Sequence, residues 1–336
     1  MEGVTASDIE TARATIATVA LETPLVPSPH LTRLAGTEFF LKLEMTQPIG
    51  AFKLRGAVNA ISNLDGGVKG VTCCSTGNHG RGVAYAAKAR GLPAVVCMSA
   101  LVPQTKIDGI QALGAEVRIV GASQDDALGE SLRLVREEGL VEVSPFDDPL
   151  VIAGQGTVGL EILDQCPEVE TILVPLSGGG LAGGIALAAK NRKPGVKVIG
   201  ISMDRGAAMF ESIRAGHPVE VVEVASLADS LGGGIGLDNR LSFDLCRRLL
   251  DDIVLVTERE IYRALQTVYY EDRIVCEGAC VVGIAALQSG KLGSPRGPIA
   301  AVITGRNIDM RLHADIMRGH GVVLGDMTLE GQRYHA

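Results

Sequence analysis

The stretch "VTCCSTGNHGRGVAYAAKARGLPAVVCMS", residues 71–99, passes from a short apolar run to a glycine-bearing turn. An alanine-rich segment stopped by glycine follows, and then a second apolar run. VTCCS (71–75) reads as a strand, HGRGVAYAAKARG (79–91) as a helix closed by Gly91, and AVVCMS (94–99) as the next strand. Strand, helix and strand in so short a span make a parallel pair joined by a crossover helix.

The alternation continues outward. QTKIDGIQALG (104–114) reads as a helix, AEVRIVG (115–121) as a strand, and SQDDALGESLRLVREEG (123–139) as a helix with Ser123 as N-cap and Gly139 at its end. TILVPL (171–176) and VKVIGIS (196–202) are strands around the helix LAGGIALAAKN (181–191). DIVLV (252–256) is a strand, EREIYRALQTVYY (258–270) a helix, and PIAAVIT (298–304) the last clear strand. The pattern predicts an α/β fold of two interleaved, doubly wound domains with mainly parallel sheets. One sheet draws on residues 71–121 and the other on 171–304. The expected division is 1–46 plus 152–336 as a large domain and 47–151 as a small one.

Composition agrees with this architecture. Of 336 residues, 46% are hydrophobic but only 3% aromatic, with no Trp, so Val, Ile, Leu and Ala must fill the core. A net charge of −8 and the lack of a basic cluster argue against nucleic acid as a partner. The start, MEGVTASDIETARATI, is acidic and amphipathic, unlike a signal peptide, and no apolar run reaches spanning length; no membrane partner is expected. Seven cysteines, mostly in apolar runs, read as reduced thiols in a cytoplasmic protein. Cys276 and Cys280 would suit one helix face as packing residues, since two further ligands at metal spacing are missing. His313 and His320 are expected on or near a surface helix. Asp147, Asp148 and Pro149 read as a turn and a helix start.

Three glycine-associated loops follow strands, where ligands of open α/β sheets bind: STGNHGRG (75–82), LSGGGLAGG (176–184) and ITGRN (303–307). In the second, Gly178, Gly179 and Gly180 lead into a helix. They let successive N–H groups converge on an anion, and the helix end adds partial positive charge. Gly178, Gly180 and Gly183 also fit the dinucleotide fingerprint, with Asp204 as its ribose-binding acid, so a NAD-dependent oxidoreductase is the alternative from another class. The segment GAFKLRGA (50–57) holds Lys53 between Phe52 and Leu54. Apolar burial lowers a lysine's pKa and makes the amine a nucleophile. A neutral lysine and a phosphate cradle together point to covalently held pyridoxal 5'-phosphate.

Taken in order, LEMTQPIGAFKLRGA, STGNHGRG, SGGGLAGG and ITGRN resemble the fold-type II pyridoxal-phosphate enzymes, whose fold is tryptophan synthase β-like. The likeness is to the threonine dehydratase and serine racemase family. STGNHGRG and SLGGGIGLDNRLSF are most similar to the hydroxyectoine-utilisation dehydratases within it. The resemblance implies that Lys53 bonds the cofactor and later acts as general base, with Phe52 beside the ring. Asn78 would meet the phenolic oxygen, and Ser75, Asn78 and His79 the substrate carboxylate. Ser177, Gly178, Gly179, Gly180 and Leu181 would hold the phosphate, and Thr304 the pyridine nitrogen. A neutral hydroxyl at that nitrogen cannot keep it protonated, which favours prompt β-elimination over transamination. The implied reaction is dehydration of a β-hydroxy amino acid to keto acid and ammonia in a homodimer. The substrate would be like threonine, serine or hydroxyaspartate, or a hydroxyectoine-derived hydroxy-diaminobutyrate.

Several positions depart from the family pattern. Ala51 and Ser177 replace the usual serine and glycine. Thr76 stands where the racemase has its serine acid/base, so amino-acid racemisation is the alternative within the family. At the positions of the relatives' divalent-metal ligands stand Ser202 and Ala208, so no metal is expected there, although Asp204 could compensate. Arg81 and Arg306 replace uncharged residues and could recognise an extra carboxylate or acyl group, or serve structural ion pairs. Glu277, in CEGAC, would lie near the ring edge or favour the next helix as a carboxylate near its N-cap. No C-terminal regulatory domain like that of biosynthetic threonine dehydratases is expected.

Overall fold

The structure, a computed structural model, describes residues 3–75, 77–100, 102, 104–121, 124–295 and 297–335. The expected N-cap Ser123 lies outside the described residues. In chain order the strands are β1 (Leu25–Pro27), β2 (Phe39–Lys42), β3 (Val71–Cys74), β4 (Ala94–Met98), β5 (Glu116–Ile119), β6 (Val141–Glu142), β7 (Thr171–Pro175), β8 (Lys197–Met203), β9 (Asp252–Val256) and β10 (Ile299–Val302). A hairpin of β11 (Val322–Leu324) and β12 (Met327–Leu329) follows. The larger sheet has the order β1-β2-β10-β7-β8-β9 and is parallel except for β1, which runs antiparallel to β2. The smaller sheet, β5-β4-β3-β6, is wholly parallel. The N-terminal segment therefore joins the larger sheet, with β2 against β10.

The central strands carry apolar side chains on both faces because helices cover both. In β7 all five residues are buried, and in β8 only Lys197 is exposed. Each parallel strand delivers its following loop to the same edge of its sheet. Cys74, Pro175 and Val302 end β3, β7 and β10, and the three glycine-associated loops begin just beyond them.

Two helices set the frame of the site. Pro149–Gln165 has Pro at its first turn and Asp148 as N-cap, whose carboxylate accepts from Val151 N–H. It packs against Lys53–Ser62 backbone to backbone. A Cβ on Gly154 would lie 2.6 Å from the Arg55 carbonyl oxygen and 2.7 Å from Gly56 Cα, so neither position admits a side chain without parting the helices.

Some local expectations change. Cys276 and Cys280 do not share an α-helix face: Cys280 ends the 3₁₀ turn Gly278–Cys280 and Cys276 precedes it, though both are buried. His313 lies on Met310–Arg318 but points inward, its ring edge-on to Tyr269, because that helix turns one apolar stripe to the core. His320 is exposed beside Asp315. Among the described residues no helix is long and apolar enough to cross a membrane.

Candidate active site

Lys53 opens the helix Lys53–Ser62, which has no side-chain N-cap bond. Its entry is held instead by the far end of the chain. Ala51 and Gly305 form an antiparallel bridge, Phe52 N–H donates to the Thr304 carbonyl (3.0 Å) and Arg306 N–H to the Gly50 carbonyl (2.9 Å). The GAFK and ITGRN motifs thus form one unit. Lys53 Nζ donates to the Pro145 carbonyl at 2.6 Å and lies 5.4 Å from the centre of the Phe52 ring. The residue as a whole is partly exposed, while the amine lies among protein atoms, and burial brings its pKa down to about 8.

The glycine loop leads into Gly180–Arg192, with Gly179 as N-cap at φ 89°, a left-handed conformation that suits glycine. Ser242 Oγ donates to the Gly178 carbonyl (2.7 Å) and Cys246 Sγ to the Gly179 carbonyl (3.5 Å). A trans peptide points its N–H opposite its carbonyl, so the N–H groups of Gly179 and Gly180 face away from those partners. The loop has no room for side chains: a Cβ on Gly178 would come within 2.3 Å of the Phe146 ring, and one on Gly179 within 2.7 Å of Met209 Cε. Bare N–H groups at a helix start, packed on Phe146 next to the Pro145 carbonyl that holds the Lys53 amine, fit a small phosphorylated aldehyde. Leu181 is buried and Ser177 half-buried at the loop's flanks.

The first loop opens the helix Asn78–Arg90, and Gly77 N–H donates to Ser75 Oγ (3.3 Å). Thr76 lies outside the described residues. His79 donates from Nε2 to the Val143 carbonyl (2.7 Å); burial, and then the Lys53 charge, bring its pKa to about 3. It is therefore a neutral imidazole already engaged, and its free contribution to a ligand is its backbone N–H in the first helical turn. Asn78 Nδ2 donates to both Glu277 carboxylate oxygens (2.9 and 3.2 Å), and Asn307 Nδ2 donates to Asn78 Oδ1 (2.6 Å). Glu277 also accepts from Asn307 N–H (3.2 Å), and burial raises its carboxyl to about 7 while the Asn78 bond opposes the rise. Glu277 makes no capping bond to the turn that follows it, because its side chain spans to Asn78. Thr304 is buried.

Arg81 is half-buried, with both Nη atoms 2.9 Å from where a Cβ on Gly109 would stand, and burial lowers its pKa. Arg306 is exposed and lies over Gly50. Sequence reasoning missed Asn307, Pro145, Phe146 and Ser242. Asn307 and Ser242 stand inside quoted motifs without a role, and the Pro145–Asp147 segment carries no signal beyond a turn. Asp147 does more than turn the chain: its carboxylate accepts from Arg240 and Ser242 N–H (3.0 and 2.8 Å), tying the turn to the glycine loop's support.

Comparison with known proteins agrees with this geometry. The family of pyridoxal-phosphate dependent enzymes matches residues 16–305. A protein of Sinorhizobium fredii provisionally named threonine dehydratase is 54% identical over 95% of this chain and 97% of its own length. The L-threonine ammonia-lyase of Thermotoga maritima is 40% identical over 92% of this chain and 77% of its own. Maize serine racemase superposes with a TM-score of 0.89 at 32% identity, covering 95% of this chain and 98% of the other. The chain belongs to the pyridoxal-phosphate dependent enzymes, with the fold-type II architecture. Gly183, the last glycine of the dinucleotide fingerprint, is used in packing: a Cβ there would lie 2.9 Å from Leu245 Cβ.

Proposed function

We propose that this chain is a pyridoxal-phosphate dependent ammonia-lyase that dehydrates a β-hydroxy amino acid to a keto acid and ammonia. The observation that carries the reading is Lys53, an amine held near pKa 8 that donates to the Pro145 carbonyl, its hydrogen-bond partner among the described residues, with a glycine loop shaped for phosphate packed on the adjoining Phe146. Naming of relatives for threonine dehydration and deamination supports the same class.

Lys53 would hold the cofactor covalently, with Phe52 beside it. Ser177 to Leu181 would take its phosphate, Asn78 its phenolic oxygen and Thr304 its pyridine nitrogen. Bound there, the cofactor supplies an electron sink for the bond breaking at the substrate α-carbon. Ser75, Asn78 and His79 would fix the substrate carboxylate at the start of Asn78–Arg90. Lys53 would take the α-proton as general base, which its lowered pKa permits near neutral pH. Glu277 holds Asn78 in place from the opposite side. Thr76 would be the acid/base of the opposite face, as racemisation would require. Residues 1–46 with 152–336 would form the cofactor-binding domain, and 47–151 the domain that carries the substrate loop.

Arg81 and Arg306 would favour a substrate with an additional carboxylate or acyl group, such as hydroxyaspartate or a hydroxyectoine-derived hydroxy-diaminobutyrate. The chain would work as a cytoplasmic homodimer without a divalent metal. Ammonia release from threonine, serine, hydroxyaspartate and hydroxy-diaminobutyrate derivatives ranks these substrates. Arg81→Ala with Arg306→Ala should lower kcat/KM for the acidic or acylated substrate by about tenfold and spare serine; an unchanged ranking refutes their role. Lys53→Ala should abolish turnover and leave the circular dichroism spectrum intact. Near-normal ammonia release from that variant would overturn the assignment.

A further inference from the structure

We infer that Arg55 is the positioning residue for Lys53, acting through a buried four-charge cluster that ties the lysine helix to the larger sheet. The inference rests on Lys53 being the cofactor lysine.

Arg55 is two residues beyond Lys53 in the same first helical turn and is 1% exposed. Its five N–H groups reach six acceptor atoms, one of them shared at Nη2: Nε and Nη2 grip Glu44 (both 2.7 Å), Nη1 and Nη2 grip Glu161 (2.6 and 2.8 Å), and Thr157 Oγ1 and the Leu21 carbonyl accept as well. Lys42 Nζ completes the set at 2.6 Å from Glu161. Two cations face two carboxylates, so the group is neutral. Burial alone would raise the carboxyl of Glu44, yet Arg55 holds it below the usual carboxylate value.

The cluster's geography gives it this role. Lys42 ends β2 and Glu44 follows it, while β2 pairs with β10, whose end continues into the Thr304 loop. Glu161 and Thr157 belong to Pro149–Gln165, the helix already in backbone contact with Gly56. The lysine helix begins without a side-chain cap; backbone bonds at Gly50 and Phe52 hold its entry, and a side-chain anchor within its first turn can fix its rotation. A planar guanidinium gripped from two sides fixes it, because a fork tolerates only one orientation where an ammonium tolerates many. Arg55 therefore sets the amine against the strand pair that carries Thr304.

Misplacing a reacting group by about 1 Å can cost on the order of a hundredfold. The test uses the purified enzyme and the graded variants Thr157→Val, Glu161→Gln, Arg55→Lys and Arg55→Met. Each is checked for fold by circular dichroism. Cofactor is then removed, pyridoxal phosphate is added back, and the rate of its bonding at residue 53 is read by borohydride reduction and peptide mass spectrometry. The expected result is a falling rate along the series, about a hundredfold slower for Arg55→Met, with kcat falling in parallel and KM within about threefold. Arg55→Lys, which keeps the charge and loses the fork, should fail to restore the rate. Bonding at the wild-type rate in every variant that folds overturns the inference. Absence of any adduct at Lys53 in the wild type would instead remove the reading beneath it. Thr157→Val, which removes one of the Arg55 hydrogen bonds and the Thr157 hydroxyl's bond to the Gly154 carbonyl but no charge, keeps the test decisive where the charge variants do not fold.

Discussion

Lys53 has no carboxylate beside it among the described residues, and folding bears the cost of burying its charge. Its folded pKa, about 8 against 10.5, means the unfolded chain holds the proton more firmly between those values. Wild-type stability should therefore rise with pH across that window. Lys53→Met removes the cost and the bond to Pro145. It should stabilise the cofactor-free protein by about 2 kcal/mol below pH 8, the gain fading to nothing as pH approaches 10.5. Urea denaturation at pH 7 and pH 10 checks this, and a gain that grows with pH refutes it. At this scale the sequence was informative where chemistry is local. The amine among apolar neighbours and the glycines after a strand each announce themselves. Asn307 did not, because its amide acts through Asn78 and Glu277, which lie far away along the chain. The partners of Lys42, Glu44, Arg55 and Glu161 were equally hidden. Each looks like an ordinary charge until the fold brings residues 42 to 55 against residue 161.

At the scale of elements, the contact between Lys53–Ser62 and Pro149–Gln165 is a backbone-to-backbone constraint near the site. Gly154→Ala would set a methyl against the Arg55 carbonyl and Gly56 Cα, which are backbone atoms and cannot swing aside. The expected loss is about 2 kcal/mol, with a lower urea midpoint and weaker cofactor retention; a midpoint equal to wild type would show that the helices can part freely. The alternating strands and helices from residue 71 to 121 and from 171 to 304 were legible because glycine stops and apolar runs mark them. β1, β2 and β6 were not: they are two to four residues long, and their pairing depends on distant strands. Only the start of Pro149–Gln165 was readable. Thirteen of its seventeen residues are buried, so no polar face gives it a helical period.

For the whole molecule, the proposed homodimer predicts a sedimentation mass of twice the 35.1 kDa chain and ammonia release that survives chelation of divalent metals. A monomeric mass in active enzyme, or loss of activity restored by metal, would refute the respective claim. The fold also interleaves the chain: β2 is covered by β10, and the Phe52 amide bonds to the Thr304 carbonyl. During synthesis Lys53 leaves the ribosome on the order of ten to fifty seconds before Thr304. A nascent chain thus carries the proposed cofactor lysine long before it has the strand that seats its helix, and any product ending short of β10 would lack the Thr304 carbonyl that holds Phe52. Catalytic competence arrives late and all at once, with the last strand of the larger sheet.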